Sequence, residues 1–121
     1  AGLSFRPYMT AASSDFSPAL TGGLVSGVTV TAPGFYAPQG RRLRTGTRVK
    51  GLLNKLASFR SGSLVLTNME METAALYALG RLFGHKLISL NAILAGRQQG
   101  VFASDPEKVI RKLILHTLRH I

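Results

Sequence analysis

Two short segments carry the residue types able to do chemistry. The first is Gly34-Phe35-Tyr36-Ala37-Pro38-Gln39-Gly40-Arg41-Arg42; the second, roughly thirty positions later, is Asn68-Met69-Glu70-Met71-Glu72-Thr73-Ala74-Ala75. In the first, Phe35 offers an aromatic face and Gln39 an amide that donates and accepts at once, which suits stacking on a pyrimidine and reading its edge. Arg41 adds a rigid fork of donors for a carbonyl oxygen. By itself the segment reads equally well as a polar loop with one half-buried phenylalanine and solvated arginines.

In the second segment, Glu70 and Glu72 are two of only five acidic residues in the chain. A helix N-terminus explains an acidic pair structurally, because its unsatisfied amides and macrodipole favour negative charge by a few tenths to about 1 kcal/mol. A carboxylate also accepts from two neighbouring ribose hydroxyls, and a methionine such as Met71 packs against a sugar while tolerating changes of pucker.

Taken together, the two segments resemble the nucleoside phosphorylase superfamily, and within it the uridine phosphorylases, in which a Phe-Tyr-x-x-Gln-x-Arg stretch forms the base pocket and an Asn-x-Glu-Met-Glu-Ser/Thr-Ala stretch holds the ribose. The resemblance runs from about residue 15 to 121. It covers the carboxyl-terminal part of that family's single domain, whose amino-terminal half has no counterpart here. It implies an α/β three-layer sandwich, with this chain supplying the carboxyl-terminal part of a mixed, largely parallel sheet flanked by helices. Carried over position by position, it places Phe35, Gln39 and Arg41 at the base and Met71, Glu72 and, in a lesser role, Glu70 at the ribose. Leu94 and Ala95 would line the base and Arg97 would steady Arg41. Gly96 and Gln98 depart from the asparagine and threonine found in one form of that last loop.

The implied reaction is phosphorolysis of a pyrimidine ribonucleoside, uridine plus phosphate giving uracil and ribose 1-phosphate. Inorganic phosphate is the co-substrate, and no organic cofactor or metal is implied. The family's phosphate ligands, a glycine and several arginines with a threonine, match nothing in this chain. A companion segment or the remaining half is therefore an expected partner, as are further copies in a homo-oligomer. The purine branch commonly places an aspartate near the third strand end, and none occurs across 87–103. The alternatives are a purine nucleoside phosphorylase or nucleosidase of the same superfamily, and a basic RNA-associated module.

That last alternative comes from charge: fifteen Lys and Arg against five Asp and Glu leave a net +10, a footprint compatible with phosphate backbones. The cations are scattered and interleave with no series of stacking aromatics, which argues against nucleic acid. His116 and His120 lie four apart, a possible metal spacing, but no third ligand accompanies them in sequence. The absence of cysteine excludes disulfides and thiolate metal sites and agrees with a cytoplasmic enzyme. No apolar run reaches the roughly 18 residues of a membrane helix. The start at Ala1 reads as a cut, with no secretory pattern over residues 1–14.

The elements that must position these residues follow from pattern. Ser17-Pro18 predicts an N-cap and a short helix backed by Leu20, Leu24 and Val25. Residues 28–31 alternate and are β-branched, predicting a strand that delivers the Phe35 loop after Pro33-Gly34. Val49, Leu52, Leu53, Leu56 and Phe59 predict an amphipathic helix closed by Ser61-Gly62. Residues 64–67 predict a buried strand entering an acidic loop, then a helix over 73–83 that stops before Gly84. The apolar stretch 86–95 predicts a third buried strand ending at Gly96. Ser104-Asp105-Pro106-Glu107 caps a final helix whose face is Val109, Ile110, Leu113, Ile114, Thr117 and Leu118. Strands alternating with helices predict a single α/β unit with all three motif loops at strand ends.

Overall fold

The computed structural model describes residues 7–44 and 46–121. Residues 1–6, part of the stretch read for a secretory pattern, lie outside the described residues, as does position 45. The chain divides into two compact units, Gly27–His85 with the segment through Ala11, and Ala12–Ser26 with Lys86–Ile121.

In the first unit, β1 (Val28–Thr31) pairs in parallel with β3 (Leu64–Glu70), and the two-residue β2 (Arg60–Ser61) pairs antiparallel with the start of β3. The order is β1-β3-β2. Helix α2 (Leu52–Ala57) packs on β3 and α3 (Thr73–Leu82) on β1, so a mixed sheet with a parallel pair is flanked by helices, the expected α/β class. The strand predicted at 28–31 forms with those bounds. That predicted at 64–67 runs three residues further, which makes Glu70 the last residue of a strand rather than part of a loop.

Helix α2 is shorter than the apolar spacing predicts. Gly51 takes a left-handed conformation, φ 65°, and starts the helix there, leaving Val49 outside. After Ser58, the backbone turns into β2, and Gly62 at φ 60° closes a hairpin onto β3. The residues read as a helix stop are thus a strand and its turn. Helix α3 ends as predicted, with Phe83 as C-cap and Gly84 at φ 72°.

The parallel register carries one irregularity. Val28 faces Leu66 but Thr29 faces Asn68, so Thr67 is the extra residue of a bulge. Gly27 lies against it: a Cβ there would sit 2.1 Å from Thr67 Cγ2 and 3.0 Å from its Cβ. Only a residue without a side chain lets the two strands approach at that point.

The second unit contains helix α1 (Pro18–Thr21), the hairpin of β4 (Ala95–Gly96) and β5 (Val101–Phe102), and helix α4 (Pro106–Leu118). Ser17 caps α1, accepting from the Ala19 amide at 3.2 Å, and Asp105 caps α4, accepting from Lys108 at 2.9 Å. Both caps are those predicted. The buried strand predicted over 86–95 does not form. Near its start the backbone meets the segment at Ser13, with Ser13 N–H donating to Leu87 O and Leu87 N–H to Ser13 Oγ, both 2.9 Å, and near its end Leu94 O accepts from Ala103 N. A side-chain oxygen thereby takes the place of a ladder carbonyl, and only Ala95 and Gly96 pair as strand. Lys86 instead bonds Asp15 at 3.0 Å.

Helix α1 buries Leu20, but Leu24 and Val25 are exposed beyond it. On α4 the predicted face is half covered. Val109, Leu113 and Thr117 are partly buried, while Ile110, Ile114 and Leu118 stay exposed, Leu118 at 61 %. His116 Nε2–H donates to Leu20 O at 2.8 Å and His120 Nδ1–H to His116 O at 2.7 Å, so each ring is tied to a backbone carbonyl.

The close approach at the bulge gives a stability prediction. Gly27→Ala is expected to cost about 1–3 kcal/mol, the range for an inserted methyl that the surroundings must yield to. Adding Thr67→Ala removes the atom in closest conflict and is expected to recover most of that loss. Urea denaturation of both variants measures the two effects.

Candidate functional site

Because β1 and β3 run parallel and in register, the chain leaves both at the same end of the sheet. The loop holding Phe35 follows β1, and the turn holding Met71 and Glu72 follows β3. Their last residues, Thr31 and Glu70, face each other. Two of the three segments singled out in the sequence therefore share one sheet end. Ligand sites of α/β folds collect there, since side chains converge while the backbone amides of following helices point outward.

The loop after β1 is built on a short 3-10 turn, Ala37–Gln39, which Pro38 favours by fixing its own backbone angle. Gly34 at φ 144° and Gly40 at φ 73° bracket the turn in conformations open to glycine. Gln39 is 5 % exposed. Arg41 curls back over the loop: its Nη1 donates to Gln39 Oε1 at 2.6 Å and to the carbonyl of Phe35. Its guanidinium stacks 3.6 Å above the Phe35 ring, and Tyr36 meets that ring edge-on, centroids 5.3 Å apart.

The structure thus brings Phe35, Gln39 and Arg41 into one cluster, with Phe35 still 51 % exposed. One face of the ring is already occupied by a cation. A planar ligand stacking on that face must displace Arg41, which turns the arginine from a fixed fork into a movable one. A separate hollow of about 180 Å³, lined by Gly40, Arg42, Thr47, Gly51, Leu52, Leu53 and Asn54, does not include these three residues.

The turn after β3 is organised by Glu70. Its Oε1 accepts from the Thr31 hydroxyl. Its Oε2 accepts from the amides of Glu72 at 2.6 Å and Thr73 at 2.7 Å. Thr31 Oγ1 also accepts from the Ala74 amide at 2.9 Å. Two residues back, Thr29 donates to Asn68 Oδ1 at 2.6 Å. Met71 and Glu72 are both exposed. Glu72 makes no side-chain hydrogen bond or ion pair among the described residues.

Thr31 was not singled out by sequence reasoning. A signal existed, however: Thr29 and Thr31 on one strand and Asn68 and Glu70 on the other share the two-residue spacing that puts side chains on one face of a sheet.

Leu94, Ala95 and Arg97, the other residues assigned to the base, belong to the second unit. Leu94 and Ala95 are partly buried at the entry to the β4–β5 hairpin, where Leu94 O accepts from Ala103 N at 2.8 Å. Arg97, also partly buried, lies in the turn between the two strands, which Gly100 closes at φ 68°.

Burial pushes the Glu70 carboxyl upward, but the Thr31 hydroxyl, the Glu72 and Thr73 amides and the Thr73 hydroxyl outweigh it and hold it below the usual glutamate range. A depressed carboxylate stabilises the fold above its unfolded pKa, and that contribution disappears as pH falls through the folded value. Glu70→Gln is therefore expected to flatten the pH dependence of stability on the acid side of the ordinary glutamate range. Urea midpoints of the two proteins between neutral and acidic pH measure it; parallel curves would contradict the role given to Glu70.

No curated protein and no solved structure matches the sequence. A family model described as the phosphorylase superfamily matches residues 7–115, nearly the whole chain and both segments at the sheet end. With an α/β sheet and the motif residues at its strand ends, the chain belongs to the phosphorylase superfamily, the group of the nucleoside phosphorylases.

Proposed function

We propose that this chain forms the base- and ribose-binding part of a pyrimidine nucleoside phosphorylase acting on uridine. The observation that carries the reading is the emergence of the Phe35-Gln39-Arg41 cluster and the Met71-Glu72 turn from the same end of a parallel strand pair. An aromatic-and-amide cluster and an unpartnered carboxylate at one sheet end match a nucleoside: a flat heterocycle with a polar edge joined to a vicinal diol. Membership of the phosphorylase superfamily supports the broader class, a pentosyltransferase-type enzyme.

In this reading a phosphate oxygen forms a bond to the anomeric carbon as the glycosidic C–N bond breaks, and the bonding electron pair passes to the base. Positive charge develops on the sugar and negative charge on the uracil carbonyls. Gln39 and Arg41 stabilise the latter, and Glu72 holds the sugar hydroxyls so that the anomeric carbon meets the incoming phosphate. Arg41 released from Phe35 is positioned to follow the base. The absence of aspartate across 87–103 favours a pyrimidine over a purine.

The proposed setting is the cytoplasm, in nucleoside salvage, as a homo-oligomer. Among the described residues no helix is long and apolar enough to cross a membrane.

Three outcomes test the reading. Gln39→Ala in an active enzyme is expected to lower kcat/KM for uridine by the equivalent of about 2–4 kcal/mol, as for one preorganised donor; unchanged turnover would remove Gln39 from the site. Glu72→Gln is expected to harm uridine more than 2′-deoxyuridine, because a charge-assisted acceptor for the hydroxyl pair is weakened. The chain alone is expected to bind uridine without cleaving it, since placement of the nucleophile accounts for roughly 7–11 kcal/mol of the barrier and the family's phosphate ligands match no residues here. A phosphate-dependent loss of uridine, followed by absorbance, would contradict that last expectation. Water-dependent release of adenine would favour the nucleosidase alternative, and salt-sensitive retention of RNA without turnover the binding-module alternative.

A further inference from the structure

Glu72 occupies the N-cap of α3, the position whose side chain ordinarily accepts a hydrogen bond from the helix's first free amides. It makes no such bond. The amides are satisfied from elsewhere: those of Glu72 and Thr73 by Glu70 Oε2 and that of Ala74 by Thr31 Oγ1. Three consecutive donors at the helix start thus point to two residues that end the two parallel strands. Those two residues are joined to each other by the Thr31 hydroxyl on Glu70 Oε1.

The acceptor capacity of Glu70 is also used up. A carboxylate offers about four acceptor sites, and here it meets the Thr31 hydroxyl, two amides and the Thr73 hydroxyl. Nothing is left with which to hold sugar hydroxyls unless the helix start comes undone. Glu72, one residue past the strand-capping group and exposed, has its whole carboxylate unpartnered among the described residues.

We propose that Thr31 and Glu70 are positioning residues, capping α3 in place of Glu72 and so leaving the Glu72 carboxylate at a fixed point for the sugar hydroxyls. This deepens, and rests on, the reading of Glu72 as the ribose ligand. The division of labour has a physical cause. An N-cap side chain that bonded its own helix would desolvate and orient its carboxylate inward, whereas a cap supplied by the neighbouring strands fixes the backbone and spares the side chain. Thr31 is the hinge of the arrangement, because one hydroxyl donates to Glu70 and accepts from Ala74 at once. Valine has threonine's shape and can do neither; serine can do both.

The test is a titration of this chain with uridine and with 2′-deoxyuridine, followed by amide NMR, which also reports whether each variant is folded. Thr31→Val is expected to weaken uridine binding roughly tenfold, the scale of one hydrogen bond to a charged group, and to reduce the preference for uridine over the deoxynucleoside. Thr31→Ser should restore both, and Glu70→Gln should behave as Thr31→Val does. In a Glu72→Gln background, Thr31→Val should leave the remaining preference unchanged, since the group it positions is gone. Equal loss for both nucleosides on Thr31→Val, or an undiminished effect in the Glu72→Gln background, would overturn the positioning role while leaving Glu72 as the ribose ligand. A preference untouched by Glu72→Gln, or no uridine binding by the unaltered chain, would instead overturn the ribose reading on which the proposal stands. Should Thr31→Val lose its folded spectrum, the comparison of Glu70→Gln with Thr31→Ser decides by the same criteria.

Discussion

Parallel pairing of β1 with β3 is the constraint from which the site follows. Antiparallel strands would send the two motif loops to opposite ends of the sheet. Parallel ones deliver both to one end, and register then decides which side chains meet. The bulge at Thr67 shifts that register by one residue, and the shift makes Thr29 face Asn68 and Thr31 face Glu70. Gly27 makes the shift possible by standing aside. A backbone irregularity of one residue is therefore upstream of the whole geometry where β3 turns into α3.

Electrostatics gives the site a character that the overall charge conceals. From Phe16 to Met69 the chain has no acidic residue, and the next two acids, Glu70 and Glu72, stand at the sheet end. Neither is in an ion pair; the Asp15–Lys86 bridge is the one ion pair among the described residues, and it belongs to the other unit. Glu70 is stabilised by hydroxyls and amides rather than by a cation. Such dipolar partners hold a carboxylate in place without cancelling its charge. In the proposed reading, a fixed anion beside an exposed one would suit a sugar that becomes positive as its bond to the base breaks.

How much of this was legible in the sequence depended on how local the deciding interaction was. Ser17, Asp105 and Gly84 act within a few residues of themselves, and the helix ends they govern came out as read. The strand at 28–31 was legible from β-branching alone. The stretch 86–95 was misread because composition marks a segment as apolar and says nothing of whether a neighbour exists to complete a ladder; Ser13, more than seventy positions away, took that place with a side chain. The apolar spacing at 49–59 likewise concealed Gly51 and Gly62, whose positive φ values divide it into helix and hairpin. At the site, Phe35, Gln39 and Arg41 were legible as a group, but the stacking of Arg41 on Phe35 was not, since a guanidinium's resting place depends on ring orientation. Thr31 escaped notice because its importance arises only from register.

The packing of Tyr36 against Phe35 has a practical corollary. The chain has no tryptophan and three tyrosines, Tyr8, Tyr36 and Tyr77, so its near-ultraviolet emission is tyrosine emission. Tyr36 stands at right angles to the ring that Arg41 covers, its centroid 5.3 Å from that of Phe35. In the nucleoside-binding reading, exchange of a cation for an absorbing heterocycle at this ring would alter the quenching of one fluorophore in three. In that reading the protein would carry its own optical gauge of occupancy at the loop, with no label attached.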